Sequence, residues 1–242
     1  EIASCLVGSE MCIRDRSFPQ YGIPSTVMAD GPVGVRIFPI KVDGKRHYCT
    51  CFPSSTLLAS TWDTQLVETQ AGAMGEEAAV YDVDVILTPG INIMRNPLCG
   101  RNFEYFSEDP VLSGLMGAAM VNGVQSRGIG TSLKHFVANN QQVNKLNNDS
   151  RIPVKALREI YLKGFEICLQ HSNPWTVMSS YNKIGGILTQ SNAELLRTVL
   201  REEWGYDGLV VSDWYGKRNS PEQLEGCLLY TSPSPRDKRQ SR

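Results

Sequence analysis

Five polar residues fall where short apolar runs end: Asp30 after Val27-Met28, Lys134 and His135 after Thr131-Ser-Leu133, Tyr181 after Thr176-Val-Met178, and Asp213 after Leu209-Val-Val211. An ionised carboxylate carries two acceptor oxygens, enough to grip two adjacent hydroxyl groups, and it can also attack carbon to form an ester. Lys and His supply donors to match. Each residue also has an ordinary reading. Asp30 lies in a Gly/Pro-rich turn of the kind an Asp side chain closes, Asp213 can cap the segment that follows it, and a lone Tyr is usually core. Lys134 is harder to dismiss, because a Lys at the end of a buried strand is rare unless it is paired or functional.

The elements that would position these residues alternate. The apolar runs, with Val83-Asp-Val-Ile-Leu87 as a fifth, have the length of buried strands, and helical patterns fill most of the gaps. Leu157, Ile160, Tyr161, Phe165, Cys168 and Leu169 mark one face of a helix that Pro153 can open. Ser191-Asn-Ala-Glu194 has the spacing of a capping box ahead of Leu195, Leu196, Val199 and Leu200. Strand then helix, repeated, predicts an α/β fold with a parallel sheet. Polar residues at nearly every strand end suit a (β/α)8 TIM-type barrel whose loops share one mouth. A dinucleotide fold would show a glycine-rich first turn, whereas Gly128-Ile-Gly130 precedes its strand.

Composition narrows the classes. With 24 Lys and Arg against 25 Asp and Glu, the net charge of -1 gives no footprint for a phosphate backbone, so nucleic acid is excluded as a partner. No apolar run approaches the roughly 20 residues needed to cross a bilayer, so no membrane partner is expected, and the first residues give no targeting information. The seven cysteines include no CxxC pair, and His47-Tyr-Cys49-Thr-Cys51 fits no common zinc spacing; no metal is expected.

Five motifs then occur in one order: Ala29-Asp-Gly-Pro-Val-Gly-Val-Arg36, Gly100-Arg-Asn-Phe-Glu-Tyr-Phe-Ser-Glu-Asp-Pro110, Lys134-His-Phe136, Met178-Ser-Ser-Tyr-Asn182 and Val211-Ser-Asp-Trp214. In that order they resemble glycoside hydrolase family 3, in particular its bacterial β-glucosidases, over about residues 17 to 225. The resemblance implies hydrolysis of terminal, non-reducing β-D-glucosyl residues with retention, through a glycosyl ester on Asp213, without metal or cofactor. A small β-glucoside or oligosaccharide is the implied substrate. Asp30, Arg101, Lys134, His135 and Tyr181 match positions around the sugar, and Trp214 offers a face on which a pyranose can stack. Arg36 is placed with the substrate-binding residues, holding the loop being its more ordinary work. The alternatives are a β-xylosidase or other exo-glycosidase of the family, or a non-catalytic carbohydrate-binding relative.

Two departures qualify the match. Where the family often has an arginine after Lys-His-Phe, this chain reads Asn144-Lys145-Leu146, and Lys145 cannot make a two-pronged contact. Val137-Ala-Asn-Asn140 stands where family members acting on N-acetylglucosamine carry a Pro-Gly-His-Gly stretch, which argues against that substrate. The second carboxyl group of a retaining pair has candidates by composition in Glu76, Glu77, Glu104 and Glu108, but none shares the strand-end setting of Asp213. By resemblance, the acid/base glutamate belongs to a further domain.

Both ends differ in composition from the middle. CLVGSEMCIRDR (residues 5–16) and CLLYTSPSPRD (residues 227–237) resemble translated sequencing-adapter read-through, so residues 1–16 and 226–242 are expected to be non-native and 17–225 to be a partial barrel domain. A complete barrel of this type usually takes about 250 residues. The expected fold is therefore an incomplete barrel, inactive alone, with the activity expected of the full-length parent.

Overall fold

The structure, a computed structural model, describes residues 12–14, 25–37, 40–42 and 45–214. The two terminal segments set apart by composition lie outside these residues, apart from Cys12–Arg14, and so does Tyr215 beside Asp213.

Six strands form the main sheet: β1 (Cys12–Arg14), β2 (Val27–Asp30), β3 (Val85–Leu87), β4 (Gly130–Phe136), β5 (Thr176–Ser179) and β6 (Leu209–Val211). Their order across the sheet is their order in the chain. β1 runs antiparallel to β2, and every later neighbour is parallel. All five apolar runs of the sequence thus become parallel strands. Helices α1 (Ser55–Ala59) and α2 (Thr64–Val80) join β2 to β3, α3 (Pro110–Gln125) joins β3 to β4, and α4 (Lys163–His171) precedes β5. Successive parallel strands joined through helices make the wall of a barrel, here an incomplete one.

Period-two alternation splits the strand residues between two layers. Val27, Ala29, Ile86, Leu133, Val177 and Val210 pack with the helices in the larger core. Met28, Val85, Leu87, Met178 and Val211 form a second cluster, with Leu209 and Trp214 against it, on the opposite, concave face. Asp30 lies two residues beyond Met28, Asp213 two beyond Val211, and Lys134 is in register with Met178. The alternation that buries the concave cluster therefore carries these three polar side chains to the same face, at the carboxyl ends of the strands.

Local signals explain the helix starts. The Asp63 side chain accepts from the Leu66 N–H at 3.0 Å and opens α2; Asp109 accepts from the Leu112 N–H at 2.7 Å and opens α3, with Pro110 in its first turn. Two details depart from the sequence reading. The stretch after Pro153 is not one α-helix but a short turn, Val154–Ala156, a π-helical segment, Leu157–Tyr161, and then α4. Over Glu194–Glu203 the helix is again of π type, and Asn192 rather than Ser191 accepts its first N–H, from Leu195 at 3.2 Å. Ser191 instead ends a short 3-10 turn, Thr189–Ser191.

α2 and α3 approach so closely that a side chain has no room at Gly123. A Cβ there would lie 2.3 Å from the Glu68 carbonyl oxygen and 2.7 Å from the Ala71 Cβ. Gly123→Ala gains about 1 kcal/mol of helix propensity but forces two helices apart, at a cost of about 1 to 3 kcal/mol. A lower thermal midpoint is the expected result. A higher one would show that the two helices slide freely.

Candidate active site

A pocket of about 170 Å³ opens at the carboxyl ends of the strands, lined by Asp30, Leu87, Arg101, Lys134, His135, Lys145, Met178, Tyr181, Asp213 and Trp214. Eight of the nine residues singled out from the sequence meet there. Arg36 does not. It is exposed, and its backbone N–H donates to the Asp30 carbonyl at 2.7 Å, closing the turn that presents Asp30. That turn needs Gly34, which has φ +121° and stands where a Cβ would lie 2.2 Å from the Thr50 carbonyl oxygen. Arg36 thus lies outside the pocket lining, and its backbone holds the loop that presents Asp30.

Asp213 is 3% exposed. Its Oδ1 accepts the Trp214 N–H at 2.8 Å, while Oδ2 is buried without a hydrogen-bond partner among the described residues. Burial pushes its carboxyl above the ordinary value, against the opposing pull of Arg101, the Tyr181 hydroxyl, the Trp214 N–H and Lys134. One oxygen is thus fixed, while burial works against charge on the group.

Lys134, 2% exposed, lies between two carboxylates: its Nζ is 3.4 Å from Glu104 Oε2 and 3.9 Å from Asp30 Oδ1. Glu104 Oε1 also pairs with Arg101 Nε. Burial opposes charge on Glu104, yet Lys134 and Arg101 outweigh it and hold its carboxyl below the usual range. Asp30, Lys134, Glu104 and Arg101 therefore form a continuous charged chain, three of whose members line the pocket. Lys145 Nζ stands 4.7 Å over the Tyr181 ring, a cation–π contact in place of a forked one.

His135 is buried at 1% exposure. Burial, with Arg101, Lys134 and Lys145 nearby, holds its imidazole well below the ordinary value, so the ring is neutral. Its Nε2 lies 3.8 Å from Asp213 Oδ2, close enough for an ion pair, but a neutral ring makes this a polar contact instead. Tyr105 and Asn92 flank the other ring nitrogen. Nδ1 is 3.3 Å from the Tyr105 hydroxyl and 3.3 Å from Asn92 Oδ1.

The remaining candidate carboxylates point elsewhere. Glu77 accepts from the Thr50 N–H at 2.8 Å, Glu76 pairs with Arg127 at 3.3 Å, and Glu108 is exposed outside the pocket lining. Among the described residues, no group of three or more His, Cys, Asp or Glu side chains is placed to hold a metal ion. A larger open groove of about 740 Å³ runs past Asp149, Arg151 and Ile184, but Asp149 there accepts the Gly186 N–H at 2.9 Å. Sequence reasoning missed Asn92 and Tyr105 and treated Glu104 only as a candidate acid. Glu104 had a signal in its spacing three residues after Arg101, and Asn92 in being a polar residue inside Ile91-Asn-Ile93.

Residues 22–223 match the family model described as the glycosyl hydrolase family 3 N terminal domain. An exo-alpha-(1->6)-L-arabinopyranosidase of Bifidobacterium longum is 50% identical over 217 residues, which is 88% of this chain and 29% of that protein. The thermostable beta-glucosidase B of Acetivibrio thermocellus is 48% identical over 217 residues, with the same shares of 88% and 29%. Among solved structures, beta-glucosidase 3B of Thermotoga neapolitana in complex with alpha-D-glucose superposes with a TM-score of 0.88 at 52% identity, covering 91% of this chain and 31% of that one. The chain thus spans less than a third of the length of these relatives.

Proposed function

The chain belongs to glycosyl hydrolase family 3, and from that premise we propose that it carries the nucleophile and the sugar subsite of a retaining exo-β-glucosidase. The observation that carries the reading is Asp213: a buried carboxylate with Oδ1 held by the Trp214 N–H and Oδ2 bare, at the bottom of a pocket rich in donors and acceptors. Oδ2 attacks the anomeric carbon and forms the ester bond as the bond to the departing oxygen breaks. That oxygen takes a proton from a general acid, and water then releases the sugar with retained configuration. Asp30 and Lys134 grip hydroxyl groups, and neutral His135 adds a donor or acceptor beside the reacting oxygen.

An activated 2-deoxy-2-fluoro-β-glucoside tests this directly, because its good leaving group needs little protonation while the fluorine slows release of the ester. The expected result is a mass increase of one fluoroglucosyl group on the peptide containing Asp213. A label on any other carboxylate rejects the assignment. The arabinopyranosidase relatives favour a second reading, an exo-glycosidase acting on a five-carbon pyranose. Matched aryl β-D-glucoside, β-D-xyloside and α-L-arabinopyranoside substrates separate the two, and the glucoside is expected to turn over with the highest kcat/KM. Glycan binding without turnover of any of them would indicate a non-catalytic relative.

A further inference from the structure

In a regular strand successive residues turn their N–H and C=O groups to opposite neighbours and their side chains to opposite faces. Lys134 and His135 break both rules. The Lys134 N–H donates to the Pro89 carbonyl at 2.9 Å, and its carbonyl accepts the Ile91 N–H at 2.9 Å, so Lys134 pairs with the segment that follows β3. His135 should then turn to β5, but the register with β5 shifts between Lys134 and Phe136 and leaves His135 without a strand partner. Asn92 takes that place. Its Nδ2 donates to the His135 carbonyl at 2.9 Å, and its Oδ1 accepts the His135 N–H at 2.9 Å. One side-chain amide thus supplies the donor and the acceptor that a neighbouring peptide would have supplied, on the same side as the Lys134 pair. The Lys134–His135 peptide bond is cis, and both side chains line the mouth of the pocket.

We propose that Asn92 is a positioning residue for the reaction centre: its amide replaces a strand partner for His135 and so fixes the imidazole beside Asp213. It rests on the proposed glycosidase reading. Asn92 does not line the pocket, and it acts only through His135. Three observations converge on this role. Asn92 is buried at 2% exposure, both of its amide heavy atoms are bound to one residue, and that residue holds its Nε2 3.8 Å from the bare oxygen of Asp213. Without the clamp, the His135 backbone loses both hydrogen bonds that Asn92 makes to it, and the ring can shift away from Asp213. Displacement of a reacting constellation by about 1 Å is enough to slow chemistry about 100-fold.

The test is the rate of Asp213 labelling by the activated fluoroglucoside in the full-length parent carrying Asn92→Ala, Asn92→Asp, His135→Ala or the Asn92→Ala/His135→Ala pair, each checked for a cooperative thermal melt. Asn92→Ala is expected to slow labelling about 100-fold. Asn92→Asp keeps the acceptor for the His135 N–H but loses the donor to its carbonyl, so it should fall between Asn92→Ala and the unsubstituted protein. The decisive arm is the double variant: if Asn92 acts through His135, removing it adds nothing once the imidazole is gone. A merely structural residue would slow both backgrounds by the same factor, and that result overturns the proposal. Labelling within threefold of the unsubstituted protein overturns it too. Loss of the cooperative melt in both Asn92 variants would assign the residue to the fold and equally end the proposal. An unsubstituted protein that takes no label would instead remove the glycosidase reading on which the inference stands.

Discussion

In the full-length parent, Asp213→Asn is expected to lower turnover of an aryl β-glucoside roughly 10⁴-fold or more and, at neutral pH, to raise the thermal midpoint of the protein. The loss follows because an amide oxygen does not form the ester on which the two-step route depends. The gain follows from the balance at the buried carboxyl group. Burial is the largest influence on Asp213 and moves its carboxyl up despite Arg101, Tyr181, Trp214 and Lys134, so the charged form is less favourable in the fold than in the unfolded chain. Above the folded value that difference opposes folding in full, and it disappears as pH falls below the unfolded value of about 3.9. Asparagine has no charge to hold, keeps Oδ1 for the Trp214 N–H, and should be the more stable form at pH 7 with the two proteins converging near pH 3. A catalytic group held against its own solvation is a common source of the exchange between stability and activity. Two measurements decide it: kcat/KM of the variant, and paired melts across pH. Turnover within tenfold of the unsubstituted protein would remove Asp213 from the chemistry. A variant less stable than the unsubstituted protein at pH 7 would show that the neighbouring cations outweigh burial.

Much of this arrangement is legible in the sequence because it depends on local patterns. Strands β2 to β6 announce themselves as apolar runs, and the period of two then places Asp30, Lys134 and Asp213 on one face without further information. The family motifs add Arg101, and Lys145 stands where the family often has an arginine; both sit in loops where no period operates. What the sequence hides has non-local causes. A regular strand would turn His135 away from Lys134, but the strand is irregular here, with a shifted register against β5 and a hydrogen bond to a side chain 43 residues away. None of this shows in the local pattern. The helical period over 157–169 does not distinguish an α-helix from one with a π segment, since an apolar stripe suits both. Arg36 shares a motif with Asp30, yet it is exposed and lies outside the pocket lining. The strand β1 arises from a segment whose composition gave no reason to expect pairing with β2. Asp213 reads as an ordinary ionised carboxylate until its burial is known.

The second large effect is expected at Lys134, and a pair of substitutions separates its part in the fold from its part in binding. Lys134→Met keeps the length of the side chain and its apolar stem but removes the charge between Glu104 and Asp30. Glu104, 2% exposed, is then left with Arg101 alone. Breaking a buried ion pair on one side costs about 3 to 5 kcal/mol because the other charge stays buried, and the surviving Arg101 contact sets the expectation at the lower end. Adding Glu104→Gln removes the stranded charge. Neutral replacement of both partners of a buried pair is often close to harmless, and Arg101, whose side chain is 22% exposed, can turn to water for part of its solvation. The double variant should therefore regain most of the lost stability in a denaturant titration. Activity should not follow. The sugar still lacks the Lys134 donor and Asp30 its cation, and losing a charged hydrogen-bond partner is worth about 1.5 to 3 kcal/mol, roughly 10- to 100-fold in kcat/KM. If activity returns together with stability in the double variant, Lys134 serves the fold only and the sugar is gripped by other groups. If the single and double variants melt alike, Glu104 is not stranded by the loss of Lys134, and Arg101 alone is sufficient to hold it.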